Sequence, residues 1–219
     1  MNVPTVQVHQ LRLPLQQEAP QRASDLAVSE ANAAGVAALA AWPETPGAIL
    51  ALFGPAGCGK SHLAAAWVER TGAVALHGAE AALVDPLELE GRPVLLDRAQ
   101  DADDESLFHL INLTQSGGGA LLLVSRDPPG AWATDLPDLR SRLNAIRTVG
   151  IEAPDDVVFA AMLRRAFVSR NITPADELID YLVRRIDRSA DAAEAVVDRL
   201  DALHRPVTRV LARQVLDGE

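Results

Sequence analysis

Gly54-Pro55-Ala56-Gly57-Cys58-Gly59-Lys60-Ser61 is the stretch that decides the fold of this 219-residue chain. It fits the pattern G-x-x-x-x-G-K-S/T and lies directly between an apolar run, Ala48 to Phe53, and a helical run, His62 to Arg70. Glycines in such a loop let backbone N–H groups turn inward around phosphates, and the positive end of the helix that follows favours the same charge. Lys60 supplies a point charge to the outer phosphates, Ser61 offers its hydroxyl to Mg²⁺, and His62 opens the helix. The loop residues from Gly54 to His62 therefore form the expected binding set for ADP or ATP.

Outward from the loop, four further short runs are apolar: Ala73 to Leu76, Val94 to Asp97, Ala120 to Ser125 and Thr148 to Ile151. With Ala48 to Phe53 they read as five strands of a parallel sheet, because strands buried on both faces are apolar throughout instead of alternating. Helices between them cover the sheet through right-handed crossovers. Ala31, Ala34, Ala38 and Ala41 recur at helical spacing within Val28 to Trp42, with Ser29 as the expected N-cap and Pro43 as the stop. After Pro154 only helical periods remain, including a start at Thr173-Pro174-Ala175-Asp176 with Thr173 as cap. The expected division is a flexible Gln- and Pro-rich tail at 1–23, an α/β nucleotide-binding domain at 24–153 and a small all-helical lid at 154–219.

Composition narrows the function classes. Hydrophobic residues make up 48% and charged residues 23%, globular proportions. A net charge of -10 repels nucleic-acid phosphates and disfavours direct sequence-specific DNA binding. One cysteine, Cys58, forms no internal disulfide, and no charged segment followed by an apolar one opens the chain. The longest apolar runs fall far short of the roughly 20 residues that span a bilayer, so no membrane role is expected and the cytoplasm is the expected location.

Pro93-Val94-Leu95-Leu96-Asp97 resembles a Walker B strand of the AAA+ type, which makes Asp97 the candidate partner of Mg²⁺ beside Ser61. Most AAA+ ATPases follow this acid with a second one that polarises the attacking water. Here Arg98 follows, so intrinsic hydrolysis is expected to be weak. Asp101, Asp103, Asp104 and Glu105 read as a solvated helix start. Ser125 ends the next buried strand, where AAA+ proteins place a polar sensor of the γ-phosphate; capping the turn into Arg126-Asp127-Pro128-Pro129 is an equal alternative.

Leu136-Pro137-Asp138-Leu139-Arg140-Ser141-Arg142-Leu143 resembles the arginine-finger box of the DnaA initiator family, with Arg142 as the finger acting in trans. The resemblance runs from about Leu26 onward, and no DNA-binding helix-turn-helix is expected after the lid. It points to the Hda-type branch, the regulatory inactivators of DnaA, and so to DnaA as partner. Gln10-Leu11-Arg12-Leu13-Pro14-Leu15 resembles the motif by which that branch docks onto the DNA polymerase sliding clamp: Leu11, Leu13 and Leu15 enter apolar pockets, Gln10 meets a polar rim and Pro14 lowers the ordering cost. Adenine contacts are placed at Leu26 and Val28. One departure from the family stands out: Asp191 falls where a second-sensor arginine is usual, with Arg188 one turn earlier. Rival readings are an autonomous P-loop ATPase or kinase and a helicase-loading or scaffold module. Enzyme status and self-association stay open, since the hydrolysed ATP would sit largely on another protein.

Overall fold

The computed structural model describes residues 27–218. The segment read as a tail at 1–23, with Gln10, Leu11, Leu13, Pro14 and Leu15, lies outside the described residues, as does Leu26. In chain order the elements are α1 (Ala33–Ala40), β1 (Ala48–Phe53), α2 (Lys60–Thr71), β2 (Val74–His77), β3 (Pro93–Asp97), α3 (Asp104–Gly117), β4 (Ala120–Ser125), α4 (Pro137–Ala145), β5 (Arg147–Gly150), α5 (Asp156–Val168), α6 (Asp176–Val183), α7 (Ala190–Asp201) and α8 (Arg209–Asp217). The five strands form one parallel sheet in the order β2-β3-β4-β1-β5, as expected from the apolar runs.

The pleat explains why the central strands β1, β3 and β4 are apolar almost throughout, whereas β5 at the sheet edge exposes Arg147 and Thr148. Leu50 and Leu52 of β1 and Leu122 and Val124 of β4 meet Leu63 and Trp67 of α2 on one face. Ala51, Leu121 and Leu123 point the other way, against Leu107 and Ile111 of α3 and Leu139 and Leu143 of α4. A third hydrophobic cluster is drawn from α5 to α8, with Phe159, Leu163 and Phe167 of α5 against Leu182, Val197 and Leu211. Every helix crossover returns the chain so that β1, β3 and β4 end on the same side of the sheet, where α/β folds place their ligands.

Two helix starts differ from their sequence-based positions. Helix α1 begins at Ala33, later than Val28, because Asn32 ties a turn ahead of it: its Oδ1 accepts from the Ser29 N–H at 2.9 Å and its Nδ2 donates to the Ala27 carbonyl at 2.8 Å. Helix α6 starts at Asp176 with Ala175 in the cap position, so Thr173 caps nothing there and the acids Asp176 and Glu177 fill the first turn.

Asp155 caps α5, accepting from the Val158 N–H at 2.9 Å. A hydrogen bond from the Ser29 side chain, then the Val158 N–H, hold its carboxyl below the ordinary value of 3.8 against the opposing effect of burial, with Arg188 adding a favourable charge. Asp155→Ala is expected to cost about 1 kcal/mol, roughly 2–4 °C in melting temperature near neutral pH. Because the folded-state pKa is depressed, this contribution is present above the ordinary carboxylate value and fades as pH falls through the lowered one. Thermal melts of both proteins across pH 7 to 2.5 check this; a gap that fails to shrink in acid contradicts the assignment.

Candidate nucleotide site

The loop between β1 and α2 is shaped by its glycines and fastened on both sides. Gly57 (φ 69°) and Gly59 (φ 95°) adopt left-handed backbone that side-chain-bearing residues resist. Gly59 is also the N-cap of α2 and offers no side chain to the helix start, which leaves the first-turn N–H groups to the cavity. The Gly54 N–H donates to the Arg126 carbonyl at 3.1 Å, and the Ile151 N–H donates to the Phe53 carbonyl at 2.8 Å. The loop thus springs from the middle of the sheet, held by the chains leaving β4 and β5.

Lys60 is 8% exposed and curls back along the loop, donating from Nζ to the carbonyls of Gly54 at 2.8 Å and Pro55 at 2.7 Å, with Cys58 Sγ at 3.6 Å. Ser61 Oγ donates to Asp97 Oδ2 at 3.4 Å, so a strand end and a helix start that are 36 residues apart are brought together. The helical α5–α8 region closes the other side. The Ala190 N–H at the head of α7 donates to the Gly57 carbonyl at 3.1 Å, and Ser189 caps that helix through the Ala192 N–H. A Cβ on Gly57 would lie 2.8 Å from Ser189 Cβ, so only glycine permits this approach.

Between these parts lies a cavity of about 320 Å³, within the range of small-molecule sites. Gly57, Cys58, Gly59, Lys60, Ser61 and His62 line one wall, Val158, Met162 and Arg165 of α5 another, and Asp191 of α7 a third. The inward helix start, the buried ammonium and the hydroxyl–carboxylate pair suit a nucleoside phosphate with Mg²⁺ held through Ser61 and Asp97. Among the described residues no group of three or more His, Cys, Asp or Glu is placed to hold a metal by itself.

The sequence candidates separate into three groups. Gly57 to His62 line the cavity, while Gly54, Pro55 and Ala56 form the outer limb whose first two carbonyls receive Lys60. Ser125 is buried beside Phe53 and donates to the Asp127 carbonyl at 2.7 Å, the turn-capping arrangement. Val28 is 52% exposed and outside the cavity wall; the Asn32-tied turn presents Ala27 and Asn32 there instead. Arg98 turns away in left-handed backbone and pairs with Asp101 at 2.9 Å. Asp103 caps α3, and Asp104 accepts from Thr134 Oγ1 at 2.6 Å, so these acids hold a helix start.

Asp191 does line the cavity, and Arg188 instead pairs with Asp156 at 2.5 Å. Sequence patterns alone missed Arg165, whose guanidinium lies against His62 Nδ1 inside the cavity. The available signal was the i,i+3 spacing of Met162 and Arg165 on the cavity face of α5. Arg142 stands apart, on α4: it donates to Gln115 Oε1 at 2.7 Å and stacks over the Phe108 ring at 5.1 Å, both on α3.

No family model matches the chain. It is 30% identical over 103 residues to the chromosomal replication initiator protein DnaA of Chloroflexus aggregans, covering 47% of this chain and 22% of that protein. The chain thus spans under a quarter of that relative's length. Among solved structures, domain III of the Thermotoga maritima initiation protein DnaA aligns with a TM-score of 0.72 at 18% identity, over 89% of this chain and 95% of that one. AMPPCP-bound DnaA from Aquifex aeolicus aligns with a TM-score of 0.63 at 18% identity, over 83% and 65%. The fold is therefore that of the DnaA AAA+ module, and the sequence is DnaA-like over about half of the chain. No helix among the described residues is long and apolar enough to cross a membrane.

Proposed function

We propose that this chain is a regulator of DnaA: a nucleotide-bound AAA+ module, tethered to the sliding clamp, that promotes hydrolysis of DnaA-bound ATP through Arg142. The observation that carries this reading is a complete phosphate loop and an α4 arginine on a DnaA-type fold. A chain similar to DnaA over about half of its length is suited to pack against DnaA itself. A bound nucleotide with Mg²⁺ would supply negative charge between the loop and the helices around it; Lys60 and the α2 N–H groups would hold that charge, Ser61 and Asp97 would hold the ion, and Asp191 would temper the pull of the lid.

Turnover of the chain's own nucleotide is expected to be slow, since Arg98 stands where a second acid would polarise water and is itself paired with Asp101. The partner's ATP is the one that Arg142 addresses. Tethering through residues 10–15 raises the local concentration of the arginine without requiring a strong pairwise contact. The deciding measurement is hydrolysis of DnaA-bound ATP with this protein and DNA-loaded clamp; no stimulation above DnaA alone refutes the reading.

The tether makes its own prediction. Gln10→Ala with Leu11→Ala and Leu13→Ala is expected to abolish clamp binding while melting temperature and nucleotide affinity stay unchanged, because Leu11 and Leu13 leave their apolar pockets and Gln10 its polar rim, at about 1 kcal/mol or more each. Clamp pull-down and calorimetry on the triple variant measure both. Undiminished clamp binding removes the segment from the mechanism.

A further inference from the structure

Two cationic side chains line the cavity: Lys60, which belongs to the phosphate loop, and Arg165, which belongs to α5. Resting on the nucleotide-site reading above, we propose that Arg165 is the residue through which the helical lid reads the nucleotide's phosphates, a task that α7 leaves unfilled. The head of α7 presents Asp191 to the cavity, and its neighbouring arginine, Arg188, is drawn to Asp156 on the first turn of α5 and does not line the cavity. Glu194, also on the cavity side of α7, is neutralised by Arg170 at 2.8 Å.

Arg165 is placed for the task from the opposite wall. Its guanidinium lies against Nδ1 of His62, the third residue of α2 and one position past Ser61. An arginine N–H has no acceptor capacity, so in this contact the guanidinium donates and His62 Nδ1 accepts. The first turn of α2 is where inward N–H groups gather phosphate oxygens, so an anion bound there lies beside Arg165. The guanidinium has further N–H donors besides the one on His62, enough to hold a phosphate oxygen and the imidazole together. Met162, one turn earlier on α5, and Val158, two turns earlier, give this wall an apolar floor that keeps water from competing for the charge.

Because the contact is made by a lid helix, phosphate binding at Arg165 pulls α5 toward the loop at the same time as the Ala190 N–H holds α7 to Gly57. The lid then closes with a cation on α5 and an acid on α7, an arrangement that responds to phosphates near the α2 end of the loop.

The test is calorimetric titration of the full chain with ADP, ATP and adenosine, comparing wild type, Arg165→Ala and Arg165→Lys. Arg165→Ala is expected to weaken ADP binding about tenfold or more while adenosine affinity holds, and Arg165→Lys to recover part of the loss. Equal losses for ADP and adenosine assign Arg165 a purely structural role, and unchanged ADP affinity removes it from the site; either result overturns the proposal. A wild type that binds none of the three ligands instead refutes the underlying nucleotide reading, so the two failures are told apart.

Discussion

Lys60→Ala is expected to lose ADP and ATP binding almost completely, with affinity falling by about 2 to 5 kcal/mol, roughly 30-fold to several thousand-fold. Lys60 is buried and its ammonium donates to the carbonyls of Gly54 and Pro55, so the loop is already built around this charge. Removing it leaves those carbonyls without a donor and the outer phosphates without their main positive partner. The backbone N–H groups of α2 remain, which is why some affinity for phosphate persists in principle. Titration calorimetry measures the loss, and circular dichroism establishes that the sheet is intact. Unchanged affinity for both nucleotides would falsify the phosphate-loop assignment.

Arg142→Ala is expected to abolish stimulation of DnaA-bound ATP hydrolysis, a loss of about 10³ or more if the arginine acts as fingers do elsewhere. As the γ-phosphoryl group of the partner's ATP separates, negative charge shifts among its oxygens, and a guanidinium docked there lowers the barrier selectively. The local contacts of Arg142 are a hydrogen bond to Gln115 and a stack on Phe108 at the surface, worth under about 1 kcal/mol in stability. The variant should therefore fold, bind nucleotide and dock on the clamp as wild type does. Arg142→Lys should rescue poorly, since a point charge does not reproduce a planar fork of donors. Arg140 donates to the Thr134 carbonyl and so supports the entry to α4; Arg140→Ala is expected to lower stability more than rate. Wild-type stimulation by Arg142→Ala in the clamp-and-DNA assay would replace activation with sequestration of DnaA.

Much of the architecture was legible because its determinants are local. The central strands β1, β3 and β4 are short apolar runs buried for most of their length, and the loop glycines sit where left-handed backbone is needed. Ser61 and Asp97, each assigned to Mg²⁺ from its own motif, do meet across the ends of α2 and β3. What escaped depends on side chains acting over a distance or against local preference. The start of α1 is set by the Asn32 amide spanning to Ala27, which overrides the helical spacing of the alanines. That same turn leaves Val28 in solvent and gives the cavity Ala27. Arg165 meets His62 across 103 residues, a contact that periodicity within α5 does not encode. Ser125 satisfies its hydroxyl on Asp127, two residues away, a choice between neighbours that a strand-end serine leaves undetermined.

The bond between the Ala190 N–H and the Gly57 carbonyl joins lid to loop through main-chain atoms alone. The side chain that α7 turns to the cavity, here Asp191, can change and rewrite what the lid says to a ligand without cutting the wire that carries the message. Inheritance is thereby divided. Grammar resides in the peptide backbone and in one glycine that admits no side chain, while vocabulary resides in the replaceable residues around them, so descendants of one module can acquire opposite responses to the same nucleotide and still close in the same way.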